Sequence, residues 1–206
     1  IFKTRYNHKK SWNYGLAIFH ENILVALRDC FLEMGGRFIE GVRVDKLRLS
    51  ENGAEICLSD SRRIDALVFV GADGRFSATR KLVGLEPTKF RCTRYMAAAL
   101  IKNIKIPRQE FYTEEIPDGV IYAFAYPDGL SRVYVCFDKS ELDDALKDKV
   151  NFFLSKIRRS KIRGRSQAEI HDLVMMMQTD DMILESPRIN KGIWIGDAAG
   201  TLDQLG

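Results

Sequence analysis

The stretch RRIDALVFVGADGRFSATRKLVG, residues 62–84, decides the fold. Its apolar run at 64–70 is rich in β-branched residues and leads into glycine, aspartate and small residues, which predicts a buried strand followed by a tight turn. The stretch KGIWIGDAAGTLDQLG, residues 191–206, repeats this pattern. In an open α/β sheet, ligands bind at the carboxyl ends of parallel strands, where helix N-termini offer N–H groups to phosphate. The two turns therefore predict one ligand held at two points.

Each turn supplies residue types that suit a nucleotide. An aspartate at a strand end, such as Asp197, can accept hydrogen bonds from ribose hydroxyls, and the glycines allow a pyrophosphate to approach the backbone. Ser77 is predicted to cap a short helix that carries Arg80. For either turn alone, the alternative is an Asp-capped strand-to-helix turn that binds nothing.

Together, the two turns resemble the FAD-dependent monooxygenases of the p-hydroxybenzoate hydroxylase fold. In that family a GADG..S..R motif and a later GDAA motif both contact FAD. Residues 71–74, Ser77 and Arg80 match the first motif, and residues 196–199 match the second. The segment 20–36 is similar to the helix that precedes the first motif in the family. The resemblance extends weakly over most of the chain and is specific at these two motifs.

The resemblance implies an α/β chain, α+β overall, with a Rossmann-like layered FAD/NAD(P)-binding domain and an inserted antiparallel substrate-binding sheet. Residues 1–88 are expected to belong to the FAD-binding domain, 89–185 to the substrate sheet and its helices, and 186–206 to the FAD-binding domain again. A site of this kind should open with G-x-G-x-x-G, and the sequence contains none. The FAD-binding domain is therefore expected to be incomplete, and the chain to be an internal fragment of a longer enzyme.

The resemblance also implies which residues contact the cofactor. Asp197 is expected to hold the ribose, and Asp73, Gly74 and Arg80 are expected near the pyrophosphate and the NAD(P)H path. The backbone near Val44 is expected to touch adenine. The full set of implied FAD contacts is Asp73, Gly74, Arg80, Gly196, Asp197, Ala198, Gly200 and Val44.

In the resembled enzymes NAD(P)H reduces FAD, O2 adds to the reduced flavin, and the hydroperoxide oxygenates an aromatic or other apolar small molecule. The protein contributes binding, orientation and water exclusion, so no catalytic side chain is assigned. One departure is Gly200, where hydroxylases of the group usually have histidine. The pattern GDAAG..D is closer to geranylgeranyl reductases and flavin-dependent halogenases, so a reductase that saturates isoprenoid double bonds is the first alternative. The second is an inactive or partial flavoprotein-like binding module.

Several strands are predicted between 89 and 138, with turns at Asp118 and Asp128. Tyr122, Phe124 and Tyr126 alternate along one of these strands and therefore share one face. These rings could line a pocket for an apolar or aromatic substrate, or they could pack the core of the domain.

Local patterns predict the remaining elements. Helices are predicted at 21–34, 140–156 and 167–177. Strands are predicted at 37–40, 42–50, 54–59, 64–70, 90–104, 109–115, 119–126, 131–137 and 192–195, with a hairpin turn at 51–53.

Composition excludes several classes of protein. The 32 basic and 28 acidic residues give a net charge of only +4, which does not indicate a nucleic-acid partner. Four dispersed cysteines without C-x-x-C spacing indicate reduced thiols in a cytoplasmic protein, and the three histidines show no metal-ligand spacing. No apolar run approaches the roughly 20 residues of a membrane span.

The basic run 156–165 is interpreted as a solvated helix end, with peripheral contact to anionic lipid, a nucleotide phosphate or a partner protein left open. The oligomeric state is not predicted.

Overall fold

The computed structural model describes residues 18–90, 94–108, 110–179 and 181–201. These residues form two compact units. The sheet unit comprises 18–34 and 94–179, and the motif unit comprises 35–90 and 181–201. The helices and mixed sheets make the chain α/β overall.

The strands, in chain order, are β1 (Val44–Ser50), β2 (Gly53–Leu58), β3 (Arg63–Ala66), β4 (Phe69–Gly71), β5 (Thr88–Lys89), β6 (Arg94–Lys102), β7 (Phe111–Ile116), β8 (Gly119–Ala125), β9 (Ser131–Asp138), β10 (Glu169–Ile170), β11 (Met175–Gln178), β12 (Met182–Ile183), β13 (Arg188–Ile189), β14 (Gly192–Trp194) and β15 (Gly200–Thr201). The helices are α1 (His20–Glu33), α2 (Ala78–Leu82), α3 (Leu142–Lys147) and α4 (Lys149–Arg159).

The motif unit contains three small sheets. An antiparallel meander joins β1, β2 and β3, and its first turn confirms the predicted hairpin. Gly53 adopts φ +158°, and a Cβ there would lie 2.5 Å from the carbonyl oxygen of Ala66. A second sheet has the order β13-β14-β4, and a third has the order β15-β12-β5. The meander and the first motif strand pack on one core, which includes Leu47, Ile56 and Trp194.

The prediction of one buried strand at 64–70 is wrong. The run divides into β3, which pairs with β2, and β4, which pairs with β14. Leu67 and Val68, at the break, are exposed. A continuous apolar run identifies strand-forming residues but does not specify the partner of each part, and here the two parts join different sheets.

The sheet unit is built on an antiparallel sheet of order β10-β6-β9-β8-β7, with β11 also pairing with β6. Its inner face packs on a core that includes Ile121, Val133 and Val135 from the strands and Phe153 and Ile157 from α4. The predicted strands at 90–104, 109–115, 119–126 and 131–137 are confirmed as β6 to β9.

Three other local predictions need correction. The helix predicted at 140–156 breaks at Asp148, whose carboxylate caps α4 by accepting a 3.0 Å hydrogen bond from the N–H of Asn151. The helix predicted at 167–177 is replaced by β10 and β11, because the edge of β6 offers backbone partners to this segment. Residues 37–40 form no strand and lie between Gly35 and Gly41, which both have positive φ. Helix α1 confirms the prediction at 21–34.

The division into units differs from the predicted domains at three places. Residues 89–90 group with the motif unit, whereas the prediction assigned them to the substrate sheet. Residues 18–34 group with the sheet unit, whereas the prediction assigned them to the FAD-binding domain. Residues 181–185 group with the motif unit, whereas the prediction assigned them to the substrate sheet. Assignment of the units to cofactor and substrate stays a prediction.

Within the described ranges, the longest helices fall short of the length and apolarity that a bilayer-spanning helix needs.

Candidate functional site

The two sequence motifs begin at the ends of neighbouring strands. Strands β4 and β14 run parallel, and Trp194 lies opposite Gly71 in the register. The N–H of Ile195 continues the pairing by donating to the carbonyl oxygen of Gly71 over 3.0 Å. Because both strands end at the same edge, the structure brings the two predicted turns side by side. The ligand of these turns stays a prediction.

Arg80 joins the two turns through its side chain. It is only 4% exposed, and its Nη1 donates a 2.8 Å hydrogen bond to the carbonyl oxygen of Ala198 in the second motif. Its Nη2 donates a 3.1 Å bond to the carbonyl oxygen of Arg75 in the first motif. Its buried Nε has no acceptor among the described residues. Arg80 therefore holds the two turns together, and its contact with a pyrophosphate stays a prediction.

Asp73 organises the first turn. Its carboxylate accepts hydrogen bonds from the Oγ of Ser77 (2.6 Å), the N–H of Thr79 (2.9 Å) and the Oγ1 of Thr79 (3.0 Å). The Oγ of Ser77 accepts a 3.0 Å bond from the N–H of Arg80, so the predicted N-cap is confirmed. The Oγ1 of Thr79 also accepts a 3.0 Å bond from the Nε1 of Trp194, which again links the two motifs.

The hydrogen bonds to Asp73 determine how its carboxyl titrates. Partial burial alone would raise the pKa of Asp73, but the bonds from Ser77 and Thr79 outweigh it and lower the pKa below its ordinary value. A carboxylate with a lowered folded-state pKa stabilises the fold above the unfolded-state pKa, about 4, and loses that contribution as the pH falls through the folded value.

We predict that Asp73→Asn destabilises the protein in a pH-dependent way. An amide nitrogen cannot accept a hydrogen bond, so the variant should lose about 1 kcal/mol of unfolding free energy near pH 6. The difference from wild type should shrink as the pH falls below about 4, where the wild-type carboxyl also becomes protonated. Urea unfolding from pH 3 to 7 measures this, with the exposed Asp65→Asn as the matched control. A pH-independent difference would contradict the prediction.

Gly74 and Gly196 leave open space above the two turns. Their φ values are +77° and +57°, a left-handed conformation that favours glycine. No heavy atom from elsewhere in the described chain lies within 4 Å of where a Cβ would stand at either residue. Asp197, next to Gly196, is exposed and makes no hydrogen bond to a described residue. An open glycine at each turn with a free carboxylate beside one of them fits the ribose and pyrophosphate of a dinucleotide.

The other residues that the resemblance implies as FAD contacts are more buried or more closely packed. The side chain of Ala198 is fully buried, and its carbonyl accepts the bond from Arg80. Gly200 lies in β15, where a Cβ would stand 3.0 Å from the carbonyl oxygen of Met182. Val44 begins β1 and packs, half-buried, on the core of the motif unit. Contacts of these three residues with FAD stay predictions.

The three aromatic residues predicted for a substrate pocket lie on the outer face of the sheet unit. Their neighbours along β8, Ile121 and Ala123, point into the core, whereas Tyr122, Phe124 and Tyr126 lie outside the core cluster. The rings of Phe124 and Tyr126 stack with centroids 5.5 Å apart. Of the two interpretations left open by the sequence, packing within the core is therefore excluded for these rings.

Neighbouring strands and α1 extend this surface, and their contributions were missed in the sequence. Phe111 of β7 stacks 5.6 Å from Tyr122, and Tyr134 of β9 lies 5.9 Å from Phe124. Phe19, at the start of α1, lies 4.9 Å from Tyr126. The aromatic face is defined here as Phe19, Phe111, Tyr122, Phe124, Tyr126 and Tyr134. The alternation of large residues along each strand is visible in the sequence, but the register that places the rings in contact comes from the strand pairing.

The architecture matches solved structures that include a flavoprotein, an FAD-bound halogenase and a hydroxylase. The flavoprotein/dehydrogenase from Cytophaga hutchinsonii superposes with a TM-score of 0.81 at 16% identity, over 96% of this chain and 51% of that one. Halogenase PltM in complex with phloroglucinol and FAD gives 0.74 at 12% identity, over 91% of this chain and 42% of that one. The anhydrotetracycline hydroxylase OxyS from Streptomyces rimosus gives 0.63 at 18% identity, over 91% of this chain and 38% of that one.

The chain has the fold of these solved proteins. The resemblance stated from the two motifs is thereby confirmed at the level of the fold. The chain spans between about a third and a half of the length of these solved structures. No protein-family model and no curated protein sequence matches it.

Proposed function

We propose that the protein is an FAD-dependent oxidoreductase, specifically a NAD(P)H-dependent monooxygenase that hydroxylates an aromatic or other apolar small molecule. The observation that carries the proposal is the pairing of β4 with β14, which sets the turns at 71–74 and 196–199 at one edge of a sheet. The flavin-enzyme fold supports the same conclusion, because both turns carry the sequence motifs that contact FAD in the resembled family.

Each part of the site has a defined task under this proposal. Asp197 would accept hydrogen bonds from the ribose, and the open backbone at Gly74 and Gly196 would admit the pyrophosphate. Arg80 and Asp73 would hold the turns in place through the contacts described above. The aromatic face would bind the substrate through ring stacking. Bound FAD would supply the redox chemistry that connects NAD(P)H, O2 and substrate.

We predict that Asp197→Ala weakens FAD binding by roughly tenfold to a hundredfold, because a hydrogen bond to a charged acceptor contributes about 1.5–3 kcal/mol. A flavin titration of the purified protein, followed by absorbance and fluorescence, measures the loss. Asp65→Ala removes an exposed carboxylate from β3 in the same unit and should bind FAD as wild type does. Equal affinity of the Asp197 variant and wild type would contradict the role assigned to Asp197.

The reaction itself is tested by NAD(P)H-dependent O2 consumption. A monooxygenase should consume O2 faster when an aromatic substrate is added and should form a hydroxylated product detectable by mass spectrometry. A panel of phenols and other planar aromatics provides the substrates. Failure of every aromatic compound to stimulate O2 consumption would overturn the hydroxylase proposal. A colourless protein that ignores added FAD would instead support a flavoprotein-like binding module.

The reductase is kept as the second candidate because of Gly200. A side chain at this position would approach the carbonyl oxygen of Met182 in β12 to 3.0 Å, so this turn is built for glycine and not for the histidine usual in the resembled hydroxylases. A gain of mass by hydrogen in isoprenoid chains supplied with reduced FAD would favour the reductase over the monooxygenase.

A further inference from the structure

Three sulfur side chains occupy one row across the strands of the sheet unit. Met177 of β11 lies opposite Met96 of β6, and Met96 lies opposite Cys136 of β9. Residues opposite each other in an antiparallel sheet have Cβ atoms about 4.5–5.5 Å apart and project from the same face. The sulfur row is defined here as Met177, Met96 and Cys136.

The sulfur row lies on the outer face of the sheet. The residues that precede its members or follow them, Met176, Ala97 and Val135, form a row of their own and pack on the core of the sheet unit. Because successive side chains of a strand point to opposite faces, the sulfur row points away from this core. Met177 is 43% exposed and Met96 is half-buried. Both thioethers are therefore reached in part by solvent.

The positions beside the sulfur row on the same face are apolar. They are Ala98 of β6 and Val120 of β8, which lies opposite Cys136. The next residue of β9 on this face, Asp138, uses its carboxylate to cap the helical turn that follows. Hard cations such as Mg²⁺ and Ca²⁺ need several oxygen ligands, which these described positions do not offer. Thioether and thiolate ligands select Cu(I) instead.

We infer that the sulfur row is a binding site for Cu(I), held by the thioethers of Met177 and Met96 and by the thiolate of Cys136. Methionine has three rotatable bonds, so two thioethers on adjacent strands can turn towards one ion without a change in the backbone. Cys136 is buried at the inner end of the row. The ion replaces the proton of its thiol, that proton passes to solvent, and neither copper nor sulfur changes its oxidation state.

The pairing of the strands creates this site. Its ligands come from positions 96, 136 and 177, which lie on three different strands and form no metal-binding motif in the sequence. The register of β6 with β9 and β11 places them side by side. The site goes beyond the proposed flavin chemistry and does not depend on it.

The test measures the affinity of the purified protein for Cu(I) without oxygen. The protein competes with the coloured chelator bicinchoninate for copper that ascorbate keeps reduced, and X-ray absorption at the copper edge identifies the ligand atoms. Met96→Leu and Met177→Leu each remove one thioether and nearly conserve side-chain volume, and Cys136→Ser removes the thiol. The matched controls are Met34→Leu and Cys30→Ser, which remove an exposed thioether and an exposed thiol outside the sulfur row.

Wild type should bind a single equivalent of Cu(I) with only sulfur among the ligand atoms. Each thioether variant should bind at least about tenfold more weakly and Cys136→Ser at least about a hundredfold more weakly, because even a group that only orients a metal ligand contributes tenfold to a hundredfold. The two controls should keep the wild-type affinity. Excess Zn²⁺ should not displace Cu(I), since proteins bind zinc through thiolate, imidazole and carboxylate ligands.

Wild-type affinity for Cu(I) in both thioether variants would overturn the inference. Nitrogen or oxygen ligands in the absorption spectrum, or loss of binding in Cys30→Ser, would overturn it too. If wild type bound no Cu(I), the inference would fail and the proposed flavin chemistry would be unaffected. Met177 is partly exposed and its replacement should not disturb the fold, so Met177→Leu tests the site even if Cys136→Ser does not fold.

Discussion

Trp194→Ala is expected to lower the free energy of local unfolding of the motif unit by about 3–5 kcal/mol. Trp194 is 1% exposed and packs in the core of this unit, with the Phe69 ring 5.8 Å away. Its indole also fills the space beside Gly71, where a Cβ would lie only 2.4 Å from Cδ1. Loss of the indole would therefore leave a cavity directly beneath the two motif turns and free the Oγ1 of Thr79 from its Nε1 donor.

Native-state hydrogen exchange measures this effect in the affected strands. The amides of β4 and β14 should exchange roughly 100-fold to 1,000-fold or more faster in the variant, because each 1.4 kcal/mol corresponds to a factor of ten. Trp194→Phe is the matched control, since it keeps an aromatic ring and loses the hydrogen bond to Thr79. This control should show a clearly smaller acceleration. If the amides of β4 and β14 exchanged in Trp194→Ala at the wild-type rate, the indole would not support these strands.

The same variant connects stability with the proposed cofactor. Trp194 carries no atom assigned to FAD, yet it supports Thr79 in the first motif and precedes the second motif by two residues. Weaker FAD binding by Trp194→Ala than by Trp194→Phe would therefore be expected from looser turns. This effect would be indirect, unlike the effect of Asp197→Ala.

Phe153→Ala is expected to destabilise the sheet unit by about 3–5 kcal/mol. Phe153 is fully buried on α4 and belongs to the core that lies against the inner face of the sheet, with Ile121 and Val135. Truncation removes the largest apolar contribution of α4 to this core and leaves a cavity that a β-sheet cannot easily close. The amides of β8 and β9 should show the corresponding acceleration of hydrogen exchange.

Phe111→Ala is the matched control for Phe153→Ala. Phe111 is 44% exposed and lies on the aromatic face, so its truncation should cost no more than about 1.5 kcal/mol, the order of one aromatic pair. It should instead weaken the binding of planar aromatic compounds such as 2-naphthol. A large loss of stability with unchanged binding of these compounds would contradict the assignment of the outer face to ligand binding and the inner face to the core.

The elements that the sequence predicted well are those with strong local signals. The alternating strands from 94 to 138 and the hairpin at 51–53 have patterns that hold in any context. The helical period of α1 was also sufficient. The sequence predictions were wrong where the backbone of a segment could form its hydrogen bonds in more than one way. Residues 175–178, within a predicted helix, form β11 because the edge of β6 offers backbone partners. Asp148 lies between α3 and α4, and its carboxylate caps α4.

The candidate site also combines features that the sequence predicted with features that only the structure shows. The sequence by itself determined the two Gly-Asp turns and the one-face alternation of Tyr122, Phe124 and Tyr126, because strand ends and period-two spacing are local properties. Only the tertiary structure decided that Arg80 bonds to Ala198 and that Phe111 stacks on Tyr122. Those contacts depend on which strands pair and in what register. Burial of the whole sheet determines the pairing and the register, so the local sequence around each residue does not predict these contacts.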